Sequence, residues 1–190
     1  MTRNIIIAVL PLLAWVGAAP AHAGPSQTTY RVSGRVQSSC SLGSNPAPLR
    51  LATTVGKDGK LNTTQLQGTT FTLGNAMCSA PSSIVVRATS LRLSTPQTTI
   101  PNGQSQTVNF TATATGWSTT AASVTTSDAA ALGTMTSYSG AARAQNSAKL
   151  ANITVGFSNF SVVTGANGNG QKLIDGAYAA TITISLTPSS

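Results

Sequence analysis

The chain has 190 residues, with 11 lysines and arginines against three acidic side chains and one histidine, for a formal charge of +8. Charged residues make up only 7% and aromatics 5%, so an aromatic-lined nucleic-acid groove does not suit this composition. The basic residues stand singly or in loose pairs such as Arg31/Arg35 and Arg87/Arg92, which is the pattern of solvated strand faces, and no nucleic-acid partner is expected.

The first segment has the form of a secretory leader. Arg3 precedes the apolar run from Ile5 to Val16, and Ala21-His22-Ala23 supplies small residues for cleavage. That run is short for a membrane span, so residues 1–23 are expected to be removed and the mature chain to begin at Gly24. The 167 residues 24–190 suffice for one domain with a substantial core.

The mature chain opens on strict alternation. In an extended conformation Thr28, Tyr30, Val32, Gly34 and Val36 fall on one side and Arg31, Ser33, Arg35 and Gln37 on the other. After Cys40, two prolines, a glycine and an asparagine between Gly43 and Pro48 turn the chain, and Gly-Lys-Asp-Gly-Lys at residues 56–60 turns it again. An extended run then reaches Cys78, with Phe71 and Leu73 on one face. The clearest interior strands are Ser82 to Leu93 and Ser105 to Trp117, separated by a turn at Pro101-Asn102-Gly103.

The Ala-rich stretches 125–135 and 139–151 lack a sustained apolar stripe and read as loops or weak strands. Alternation returns from Lys149 to Val163, and Gly165 to Gly170 forms a connection. The last strand spans Gly176 to Thr187, with Tyr178, Ala180, Ile182, Ile184 and Leu186 on the face expected to be buried. No internal repeat interrupts the chain, and a single sandwich of short antiparallel strands is the economical architecture.

Cys40 and Cys78 are an even pair in an exported chain and read as a disulfide. The loop they close corresponds to about 4 kcal/mol in the chain-entropy account. Catalysis is not expected. The only histidine, His22, leaves with the leader, and there is no glutamate, so the usual proton-transfer partners for a serine or cysteine nucleophile are missing from the mature sequence. Asp58 lies in a turn, Asp175 precedes a glycine, and Asp128 follows Ser127 at a position suited to a helix cap. No metal or other cofactor is expected from this set. The glycines at 165–170 lack the lysine and hydroxyl of a phosphate loop.

Three stretches resemble the pilins of the chaperone–usher pathway. Gly34 to Leu42 (GRVQSSCSL) is similar to the first pilin strand with its cysteine, Phe71 to Cys78 (FTLGNAMC) to the approach to the second cysteine, and Asp175 to Leu186 to the closing strand of pilins and of the spore-coat-U-like subunits. The chain ends LTPSS where pilins carry a tyrosine next to last, and the part before Gly34 is short, as in the spore-coat-U-like branch.

The resemblance implies an all-β fold, an incomplete immunoglobulin-like β-sandwich completed by a donor strand. It implies a donor arm at 24–33 whose Thr28, Tyr30 and Val32 enter a neighbour's groove, and a domain at 34–190 in which Val36 serves the subunit's own core. Ile182, Ile184 and Leu186 would line the groove and contact a chaperone. The implied partners are a periplasmic chaperone, an outer-membrane usher and neighbouring pilus subunits, and the implied destination is the cell surface by way of the periplasm. The competing expectation is a secreted or tip carbohydrate-binding adhesin domain, against which stand the single-domain length and the scarcity of aromatics, Trp117 being the only tryptophan left once Trp15 is removed.

Overall fold

The computed structural model describes residues 31, 33, 37–43, 60, 68–129, 136–164 and 172–189. The chain falls into two units, Met1–Arg35 and Val36–Ser190, and every described strand belongs to the second. Thr28, Tyr30, Val32, Gly34, Val36, Asp58 and the glycines at 165–170 lie outside the described residues, as does the segment 1–23 expected to be a leader.

The described fold is all-β, without a helix among the described residues. In chain order the strands are β1 (Cys40–Ser41), β2 (Thr70–Cys78), β3 (Ser82–Thr89), β4 (Leu91–Leu93), β5 (Gln104–Ser105), β6 (Thr107–Thr115), β7 (Ala122–Thr125), β8 (Ser137–Ser139), β9 (Arg143–Gln145), β10 (Lys149–Val162), β11 (Lys172–Leu173), β12 (Tyr178–Ala179) and β13 (Ile182–Pro188). The larger sheet runs β1-β2-β10-β6-β4-β12, with β7 also on β6, and all its pairs are antiparallel. In the smaller sheet β3 pairs with β13 along one edge and with β8 and β9 along the other. Strands β5 and β11 form a short parallel pair.

Both sheets contribute to one core. Ile84, Val86 and Ala88 of β3 join Leu73, Val108, Phe110, Ile153, Val155 and Phe157 of the larger sheet. The rings of Phe71, Phe110 and Phe160 sit 5.8–6.0 Å from a neighbouring phenylalanine in a chain of contacts through Phe157 and Phe110, a separation at which aromatic pairs add to simple burial.

Two sequence segments that read as single strands change sheets part-way. The run Ser82 to Leu93 breaks at Ser90 into β3 in the smaller sheet and β4 in the larger, and the closing run breaks at Ala180 and Thr181 into β12 and β13. The two breaks lie side by side: Thr89 N–H donates to Thr181 O at 3.0 Å, and Thr181 N–H donates to Thr89 Oγ1 at 2.9 Å. The inward parity survives the crossing, since Tyr178, Ala180, Ile182, Ile184 and Leu186 all pack against the core. A strand that leaves one sheet for the other turns a corner of the fold without disturbing its two faces.

Alternation fails at two other places, and a bulge repairs each. In β2 the inward residues are Leu73, Ala76 and Cys78, so one step is three residues. Asn75 absorbs the extra residue at φ 58°, the register with β10 shifts there, and the Asn152 side chain accepts the Asn75 N–H at 3.1 Å. In β10 Phe157 and Phe160 both face the core because Asn159 takes φ 53° between them, at the register shift against β6. Asparagine tolerates this left-handed conformation better than other non-glycine residues, and bulges commonly use it.

Cys40 and Cys78 are disulfide-bonded across the β1–β2 pair, where they are direct partners. Asp128 departs from the helix-cap expectation. It lies in a coil after β7, buried, where its carboxylate accepts the Tyr138 hydroxyl of β8 at 2.8 Å. Its backbone is clasped by Asn109 of β6, which donates Nδ2–H to Asp128 O and accepts Asp128 N–H. The clasp therefore links the two sheets through a polar network whose members satisfy one another, the condition under which buried polar groups specify packing.

Candidate strand-addition site

The site grows from the last strand. Within β13, period-two alternation sends Ile182, Ile184 and Leu186 inward and Thr183 and Thr187 outward. The antiparallel register places Ile182 opposite Ala88, Ile184 opposite Val86 and Leu186 opposite Ile84. Along each of these rows burial falls off sharply: Ala88, Val86 and Ile84 are 0–1% exposed, whereas their β13 partners are only half-buried. The covering layer thus stops at β13, leaving three aliphatic side chains on a lip of the core.

Among the described residues, no strand engages the backbone of the same three residues on one side. Thr89 N–H reaches Thr181 O, and Ser189 N–H reaches Pro81 O at 2.7 Å, so the odd-numbered residues from 181 to 189 turn their peptide groups toward β3. In an antiparallel ladder these alternate with residues whose groups point the other way. Ile182, Ile184 and Leu186 therefore aim N–H and C=O at the far edge of β13, where no described strand pairs with them. Pro188 falls on that same outward set, which explains how a proline ends a strand paired with Ser82 without costing a bond to β3.

The strand of the larger sheet that lies alongside β13 is β1, and no ladder joins the two among the described residues. On that side of the larger sheet, Cys40, Leu42 and Phe71 are likewise only half-buried against the core. β1 itself is two residues long and is tied to β2 by the disulfide, by its two register pairs and by Ser79 N–H donating to Ser39 O at 3.0 Å. An open sheet edge carrying outward peptide groups and inward aliphatic side chains can do one thing chemically: accept another extended segment as an added strand.

The closing run is anchored just before this edge by Tyr178 of β12. Its hydroxyl donates to Ile174 O at 2.7 Å. Burial, reinforced by the negative charge of Asp175, pushes its pKa up to about 12, above the ordinary value near 10. The neutral phenol is the form the fold prefers, so this stabilising contribution is complete below pH 10 and is lost as pH rises from 10 to 12. Tyr178→Phe should accordingly remove a hydrogen bond of about 1 kcal/mol at neutral pH and flatten the loss of stability across pH 10–12, read by denaturant unfolding at a series of pH values.

Of the sequence-predicted residues, the structure brings together Cys40 with Cys78 and places Ile182, Ile184 and Leu186 on one strand face. The outward peptide set ending at Pro188 is a feature of strand pairing, and its one mark in the sequence is a proline closing an alternating strand, which favours an edge. Trp117 is fully buried, with its carbonyl accepting Lys149 Nζ, so its ring presents no face for stacking against a sugar. Comparison with family models, with curated proteins and with solved structures found no match.

Proposed function

We propose that the chain is the structural subunit of a cell-surface pilus, polymerising by donor-strand exchange and contributing to adhesion or biofilm formation. In this reading the two sheets form an immunoglobulin-like sandwich that lacks its closing strand. A periplasmic chaperone lends that strand before export through an outer-membrane usher, and the arm at 24–33 of the next subunit replaces it in the fibre. The single observation that carries the proposal is the edge of β13, where three half-buried aliphatic residues coincide with three peptide groups that no described strand pairs. The resemblance of the cysteine-bearing segments and of the closing run to pilins supports it.

The test is on the arm. A chain that begins at Gly34 loses Thr28, Tyr30 and Val32 and should fold with a chaperone strand yet form no polymer, whereas the full mature chain should form polymers that resist SDS and mild denaturant. The same arm appended after Ser190 through a flexible linker should fill the edge in cis and yield a stable monomer, because the linked strand acts at an effective concentration in the millimolar range. A full-length chain that is monomeric and unfolds cooperatively on its own would overturn the proposal and favour a secreted carbohydrate-binding domain.

A further inference from the structure

We infer that the added strand sits in a single register, with Thr28 opposite Leu186, Tyr30 opposite Ile184 and Val32 opposite Ile182, bounded at one end by Pro188. The inference rests on the strand-exchange reading and deepens it. Only three residues of the β13 edge offer both a donor and an acceptor outward, Ile182, Ile184 and Leu186; the next outward residue, Pro188, has no N–H. At the other end the strand stops, since Ala180 and Thr181 belong to the crossing between sheets.

The arm has a matching span. Its alternating face carries Thr28, Tyr30 and Val32, with Ser26 before them and Gly34 after. In an antiparallel addition each residue facing an outward β13 residue closes two hydrogen bonds, so the proposed register completes all three pairs and leaves Ser26 and Gly34 at the two ends. A slide of two residues toward Pro188 sets Thr28 against a proline, which orphans the Thr28 carbonyl, and sets Gly34 beside Ile182, which leaves that inward row without a side chain. A slide the other way puts Ser26 in the apolar row of Leu186 and carries Val32 past the end of the strand.

In the proposed register Arg31 stands opposite Thr183, both exposed. Because Thr183 turns its peptide groups toward β3, this is a non-hydrogen-bonded pair with Cα atoms about 4.5 Å apart, close enough for a disulfide. Copies carrying Arg31→Cys and Thr183→Cys should therefore cross-link along the polymer at least tenfold more efficiently than copies carrying Arg31→Cys with Ser185→Cys or with Thr181→Cys, read on non-reducing gels. Adding Pro188→Val restores the missing donor and should raise cross-linking through Ser185→Cys. Preferred cross-linking through position 185 or 181 in the otherwise unaltered chain overturns the register while leaving strand exchange standing, and an unchanged pattern with Pro188→Val overturns the role of the proline. Failure of the unaltered mature chain to polymerise overturns the underlying reading and the register with it.

Discussion

Ile184→Asp should stop the protein from accumulating, while Thr183→Asp one residue away should be tolerated. Ile184 packs on the core beside Val86, which is 0% exposed. An aspartate there removes apolar contact and brings a charge against a row of aliphatic side chains with no cation in it, at a cost of about 3 kcal/mol or more. Against a domain stability of about 5–15 kcal/mol this is a large fraction. Thr183 faces outward and is exposed, so a charge there should change stability by only about 0.5 kcal/mol. The comparison is made by immunoblotting cell fractions and by urea unfolding of whatever accumulates. Equal behaviour of the two variants would mean that the faces of β13 are not assigned as the structure has them.

Loss of the disulfide should have a comparable effect. The Cys40–Cys78 bond closes a separation of 38 residues, and the chain-entropy account gives it about 4 kcal/mol. Its local effect is concentrated in β1, which has two residues in register with β2 and, among the described residues, few other bonds to hold it at the sheet edge. The double variant Cys40→Ala, Cys78→Ala should lower the urea midpoint steeply or abolish cooperative unfolding, and β1 amides should lose protection from hydrogen exchange before those of β10. Mass spectrometry of the parent protein should show a gain of two hydrogen atoms on reduction. A reduced protein with an unchanged midpoint would remove the bond from the account of stability.

The buried clasp at Asp128 shows why the site and the core were legible to different degrees. Asp128 follows a serine and precedes an Ala-rich stretch, a local context that suits a cap. Its actual partners, Asn109 and Tyr138, sit 19 and 10 residues away in different sheets. Local sequence holds no record of that encounter, because the hydrogen bond exists only once β6 and β8 have been brought together. The same holds for Asn75 and Asn152, 77 residues apart, whose bond supports the bulge in β2.

Three properties of this protein are determined by sequence alone. Period-two alternation with β-branched residues and no sustained helical stripe dictates an all-β chain, and the inward face of the closing run, Tyr178 to Leu186, follows from parity, which every residue carries with it even where the run changes sheets at Ala180 and Thr181. The even cysteine pair likewise foretold its bond. What the tertiary structure decided is pairing: which strand lies beside which, where Ser90 sends the chain into the other sheet, and that β13 has β3 on one side and no described strand on the other. Alternation assigns a side chain to a face but says nothing of the neighbour across the ladder, because that neighbour is chosen by contacts between segments as distant in sequence as Ile84 and Leu186, through the burial that their shared core provides.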